Sequence, residues 1–178
     1  INPNGSEWYG NDSDEDCDGY DYYRDEGCVG SSVPGDYPNL QSALISLQNS
    51  SVVETICLSP GTYSGDYSVG GNIELIGTAR EEVFIDGRVT LNSSVNGSET
   101  ILARISVLDG VEATDNGIAT ERFYYLEDGS FTSTSEYYGV YLERNSGKTI
   151  NLSIERSELE GHYYPCLLYT SPSPRDLY

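Results

Sequence analysis

The sequence predicts an all-β solenoid, in which short strands wind into stacked coils and one helix closes the N-terminal end. Three observations predict it. From Glu54 onward, short apolar strands such as "TICL", "NIELIG", "EVFIDG" and "GVYLE" are separated by Gly, Asp, Asn and Ser. Several strands end on an acidic residue followed by glycine, at Asp86-Gly87, Asp109-Gly110, Asp128-Gly129 and Glu160-Gly161. The intervals are 23, 19 and 32 residues, a recurrence near twenty with an insertion in the last, as stacked coils require. Each coil is expected to return to one corner, where Gly supplies positive φ and Asp caps the turn. Finally, an amphipathic helix precedes the strands, placed to cover the apolar end of such a stack. A β-sandwich also uses many short strands, but its strands should alternate cleanly with one polar face, and the recurring acidic-Gly corner favours the solenoid.

Taken in order, residues 1–36 are polar, acidic and poor in aliphatic side chains, too few to build a core. In "YPNLQSALISLQNSS", Leu40, Ala43, Leu44 and Leu47 fall at i, i+3, i+4 and i+7, one apolar face of a helix. Pro38 and Asn39 start it, and "NSS" at 49–51 stops it. Strands fill the rest, with Ile56, Ile73, Leu75, Ile85, Val89, Ile101 and Ile105 expected to point inward.

The stretch "ICLSPGTYSGDYSVGGNIELIGTAREEVFIDGRV" then resembles the opening of a right-handed parallel β-helix of the pectin-lyase-like superfamily. The resemblance rests on the helix Leu40 to Leu47, Pro60-Gly61-Thr62-Tyr63, Ile73 to Gly77, and Ile85-Asp86-Gly87. "INLSIERSELEG" is similar to later coils of the same superfamily, so the likeness spans residues 38–162. It implies a right-handed, single-stranded β-helix over residues 37–165, of which this chain is the N-terminal part.

Charge narrows the function. The chain carries 29 acidic residues against nine basic ones, a net charge of -20. That argues against nucleic acid or an anionic membrane surface as partner and suits divalent cations. No apolar run is long enough to cross a membrane. The sequence contains no methionine, so the natural chain is expected to begin before Ile1. At the other end, "CLLYTSPSPRD" (166–176) resembles a translated sequencing-library adapter. Residues 166–178 are therefore expected to be a scar outside the fold.

Within the acidic segment, "DEDCDGYDYYRD" has the spacing of a twelve-residue calcium loop. Asp14, Asp16 and Asp18 stand at positions 1, 3 and 5, Gly19 at 6, Tyr20 at 7 for its carbonyl, and Asp25 at 12. No amphipathic helices flank it, and it resembles the aspartate-rich calcium repeats of extracellular proteins such as thrombospondin type 3 repeats. Calcium is the expected cofactor. Cys17 and Cys28 bracket the back half of the loop and are candidates for a disulfide, which implies an oxidising compartment. Cys57, inside an apolar strand, reads as a buried thiol, although the three cysteines outside the adapter-like tail permit other pairings.

Tyrosine occurs 16 times. Tyr124, Tyr125, Tyr137, Tyr138 and Tyr141 form a candidate carbohydrate-binding row, with one member of each adjacent pair facing outward. Enzymes of the resembled superfamily cleave acidic polysaccharides with calcium and arginine, or with clustered aspartates and histidine. Here Arg104, Arg122 and Arg156 precede acidic-Gly corners by four to six residues and are expected to share one face. Paired aspartates on one strand are missing, and only Gly161-His162-Tyr163 resembles part of a hydrolase motif. The expectation is an extracellular or cell-surface module that binds carbohydrate or surface polymers. The alternatives are the front of a polysaccharide lyase or glycoside hydrolase, or a structural stalk.

Overall fold

The computed structural model describes residues 28–48, 50–114, 121–133, 138–144, 148–161 and 164–170. An opening strand β1 (Ser31–Val33) and a helix α1 (Leu40–Leu47) lead into five coils of three strands. The first is β2 (Glu54–Leu58), β3 (Gly61–Ser64) and β4 (Tyr67–Val69). The second is β5 (Ile73–Gly77), β6 (Val83–Asp86) and β7 (Val89–Leu91). The third is β8 (Ser98–Ala103), β9 (Ser106–Val107) and β10 (Val111–Thr114). The fourth is β11 (Glu121–Glu127), β12 (Ser130–Ser133) and β13 (Tyr138–Arg144), and the fifth is β14 (Thr149–Glu155), β15 (Glu158–Gly161) and β16 (Tyr164–Thr170).

Equivalent strands of successive coils form three sheets: A (β1-β2-β5-β8-β11-β14), B (β3-β6-β9-β12-β15) and C (β4-β7-β10-β13-β16). Every strand pair is parallel, so the molecule is an all-β parallel β-helix. An isolated antiparallel bridge joins Asp109 to Ser133 at a corner.

The register explains the core. Ile56, Leu75, Leu102 and Leu126 lie side by side across sheet A, each 2 % exposed or less. Tyr63, Ile85, Val107, Phe131 and Leu159 stack in sheet B, and Tyr67, Val89, Val111 and Val140 in sheet C. Truncating one such side chain, Leu102→Ala for instance, would cost about 2–5 kcal/mol, because flanking rungs hold the cavity open.

The α1 helix plugs the N-terminal end of this core with Leu40, Ala43 and Leu44. Its N-cap is Asn39, whose side-chain oxygen accepts from the Ser42 N–H at 2.9 Å. The Tyr63 hydroxyl of "PGTY" shares its one proton between the Val33 and Ser59 carbonyls, 2.8 and 2.9 Å away, which fastens the first coil to β1.

Four expectations need correction. Ile101 does not point inward: its neighbours Thr100 and Leu102 are buried, and alternation turns Ile101 to the outside of sheet A. Nor do the acidic-Gly pairs share one corner. Asp86-Gly87, Asp109-Gly110 and Glu160-Gly161 lie where sheet B ends, whereas Asp128-Gly129 joins sheet A to sheet B. There Asp128 itself takes the positive φ, 45°, and Gly129 is small because a Cβ would press on the Phe131 ring at 2.5 Å.

The disulfide differs too. Cys28 is bonded to Cys57, with Cα atoms 5.6 Å apart, in place of the expected Cys17–Cys28 pair and the free Cys57 thiol. Cys57 alternates with the buried Ile56 and Leu58, so its side chain emerges on the outer face of sheet A. Lastly, the stretch from Cys166, expected to stand outside the fold, continues β16 against β13, with Val140 opposite Cys166 and Leu142 opposite Leu168. The preceding coil offers unpaired N–H and C=O groups along its edge, and an apolar "CLLYT" satisfies them whatever its origin.

Candidate functional site

The exterior of sheet C carries a hollow bordered by two aromatic rings. In β10 and β13 the inward residues Val111, Ala113, Val140 and Leu142 are buried, which directs the register pair Glu112 and Tyr141 outward. Tyr138 sits where the chain enters β13, and its ring stacks on Tyr141 with centroids 5.6 Å apart and planes inclined by 25°. Beneath this pair lies a depression of about 230 Å³ lined also by Arg88, Asp109, Gly110, Val111 and Glu112.

Each lining residue is placed by the coil. Arg88 stands at the entry to β7, where its backbone N–H donates to Asp66 Oδ1 at 2.9 Å. Its Nη1 lies 3.6 Å from Glu112 Oε2, both side chains about a third exposed. Gly110 has φ 84°, and a Cβ there would meet the Tyr138 carbonyl at 2.9 Å. Glycine therefore lets the third and fourth coils close at this corner. The Tyr141 hydroxyl donates to Glu143 Oε2 at 3.4 Å. Burial first, and then the negative charge of Glu143, hold that phenol above its ordinary value, so it remains a donor through the neutral range. Aromatic faces, phenol hydroxyls, two carboxylates and one guanidinium thus converge on one hollow.

The candidate tyrosines are divided by the fold. Tyr124 is fully buried, its hydroxyl 3.4 Å from the Leu91 carbonyl, which removes it from any surface row. Tyr125 faces out, as expected for one member of the pair, but on sheet A, away from Tyr138 and Tyr141. Tyr137 lies outside the described residues, as do Asp14, Asp16, Asp18, Tyr20, Asp25, Cys17 and His162. Among the described residues, no group of three or more His, Cys, Asp or Glu side chains is arranged to hold a metal ion.

The three arginines separate as well. Arg122 lies inside the coil at 0 % exposure, where its Nε donates to the Ser93 carbonyl at 2.6 Å beside the buried Ser93–Ser98 hydroxyl pair. Arg104 and Arg156 occupy the same corner position two coils apart, with Asp128 between them, all three in the left-handed region at φ 54°, 46° and 45°. Burial is the main influence raising the Asp128 carboxyl above its ordinary value, opposed by Arg80 and Arg156. Around it, Arg80 bridges Glu81 at 2.9 Å and Glu158 at 3.6 Å. This corner is a ladder of alternating charges.

Arg88 and Glu112 were not singled out in the sequence, and Asp109 was expected only as a corner residue, not as part of a hollow. A signal existed for Glu112, which sits between Val111 and Ala113 and must face outward once those two are assigned inward. Arg88 meets it only through the register that sets β7 beside β10. The chain matches no family model, no curated protein and no solved structure.

Proposed function

We propose that this chain is an exported or cell-surface β-helix module that binds carbohydrate through the Tyr138–Tyr141 hollow. One observation carries the proposal: two stacked tyrosines border a pocket lined by hydrogen-bonding side chains on the outside of sheet C. Stacked aromatic rings offer an apolar platform with polar edges, which suits the alternating C–H and O–H surfaces of a sugar ring. Arg88, Asp109 and Glu112 supply the donors and acceptors that would fix its hydroxyls.

Charge selects among sugars. Asp109 and Glu112 line the hollow and Glu143 stands beside it, against Arg88, on a chain of net charge -20. Polymers of neutral or amino sugars fit that field, whereas uronate polymers are repelled. The Cys28–Cys57 bond supports an oxidising, extracellular setting. The pectin-lyase-like resemblance belongs to the same reading. Calcium at Asp14, Asp16, Asp18, Tyr20 and Asp25 is a second element of the proposal, resting on the loop spacing alone.

Affinity electrophoresis tests the carbohydrate reading. Gels containing a neutral glucan or mannan should retard the full chain, and gels containing pectate or alginate should not. Equal mobility in every gel would leave the structural-stalk alternative standing.

A further inference from the structure

The hollow outside sheet C is unevenly charged. Its volume is about 230 Å³, below the roughly 300–1,000 Å³ of pockets for drug-sized ligands, which suits one monosaccharide unit. Two carboxylates, Asp109 and Glu112, line it against one guanidinium, Arg88. Glu143 adds a third carboxylate at the edge, where it accepts from the Tyr141 hydroxyl at 3.4 Å.

The guanidinium does not cancel this field. Arg88 Nη1 stands 3.6 Å from Glu112 Oε2, beyond direct hydrogen-bond range. After burial and Glu143, the charge of Glu112 still helps to hold the Tyr141 phenol above its ordinary value. Asp109 is held from the other side, since its Oδ1 accepts from the buried Ser133 hydroxyl at 3.5 Å. Among the described residues, no three His, Cys, Asp or Glu side chains are set to hold a metal ion. An organic cation with an apolar face suits the hollow instead. The stacked Tyr138 and Tyr141 rings can take C–H surface, and aromatic faces also attract an ammonium group.

Given the carbohydrate reading, on which this rests, we propose that the hollow selects a hexose unit bearing a free, protonated amine. Its ring lies against Tyr138 and Tyr141, and its ammonium is directed toward Asp109 and Glu112. An N-acetylated unit has lost the charge and a plain hexose carries a hydroxyl there, so both bind more weakly. Arg88 opposes the ammonium and limits the preference.

The test is calorimetry on the full chain with trimers of glucosamine, N-acetylglucosamine and glucose that share one linkage, in mildly acidic buffer that keeps the amine protonated. A linear triamine is the fourth ligand. The glucosamine trimer should bind at least about tenfold more tightly than the glucose trimer, as one hydrogen bond to a charged group allows. High salt should narrow the margin. Asp109→Asn and Glu112→Gln should each shrink the ratio of the two affinities, and Arg88→Gln should widen it. Equal affinity for all three sugars would overturn the amine preference and leave the carbohydrate reading intact. A triamine that binds as tightly as the glucosamine trimer would also overturn it, as would glucosamine binding that survives Tyr138→Ala. In either case the net charge of -20, and not the hollow, would be holding the cation. Binding by none of the sugars would remove the carbohydrate reading and the amine preference together.

Discussion

Cys28 and Cys57 are joined across the outer face of sheet A, with 29 residues of separation between them. The bond ties the start of the described chain to the first coil and encloses α1. Closing a loop of that length stabilises the folded state by roughly 3–4 kcal/mol through the lost entropy of the unfolded chain. Cys57→Ser should therefore lower the melting temperature by many degrees, and Cys17→Ser should leave it unchanged. Non-reducing peptide mapping together with thermal melts of both variants checks this. Stabilisation lost with Cys17 instead would restore the pairing suggested by the sequence.

Arg122 gives a second outcome. Its guanidinium is wholly inside the coil and donates to the Ser93 carbonyl. Arg122→Ala removes that donor and leaves a cavity, and a loss of about 2–5 kcal/mol is expected from the lost packing and hydrogen bond. Arg122→Met keeps the length without the charge and should recover a substantial part of the loss. Denaturant unfolding of the two variants measures the difference, and indistinguishable midpoints for all three chains would mean that Arg122 is not interior.

The pH dependence follows from Glu127 and Asp128. Burial first, then the charge of Glu155, raises Glu127 above its ordinary 4.5 against the opposing Arg156. Burial likewise raises Asp128 above 3.8. A raised carboxyl binds its proton more tightly folded than unfolded. Its contribution is thus fully present below the unfolded value and is lost as pH rises through the folded value. Glu127→Gln should accordingly melt higher than the parent at pH 7 and match it near pH 3.5. A parent that is the more stable at pH 7 would contradict this sign.

Much of this was legible because local rules determine it. The helix face of Leu40, Ala43 and Leu44, its Asn39 cap and the inward Ile56, Ile73, Leu75, Ile85 and Val89 follow from periodicity alone. In "ERFYYLE", the outward Glu121 and Glu127 fix the phase that sends Arg122 and Tyr124 inside with Leu126, though hydrophobicity alone would have buried Phe123. What depends on coil length was hidden. Spacing between register partners grows from 22 residues (Tyr63 to Ile85) to 28 (Phe131 to Leu159), so acidic-Gly pairs drift between corners. The Cys28–Cys57 pair and the Arg88–Glu112 contact both join different coils or strands, and no sequence separation announces them.

For the acidic loop, calcium should bind the full chain with an affinity on the order of 10⁻⁴ to 10⁻³ M, the range of extracellular modules. Converging carboxylates repel one another until a cation neutralises them, and magnesium, which demands tighter octahedral geometry, should compete poorly. Calorimetry on the full chain and on Asp14→Asn with Asp18→Asn checks this. Equal heats from the two would reduce the segment to an acidic linker.

The most direct measurement of the central claim is a calorimetric titration of neutral oligosaccharides into four chains: the parent, Tyr138→Ala, Tyr141→Ala and Tyr125→Ala. Tyr125 faces out on a different sheet, so its variant controls for loss of any exposed ring. The account predicts binding by the parent and by Tyr125→Ala. Removal of either stacked tyrosine should weaken binding at least about tenfold, or ~1.4 kcal/mol. Binding that survives unchanged in Tyr138→Ala and Tyr141→Ala, or that is absent from the parent for every neutral sugar tried, would contradict it.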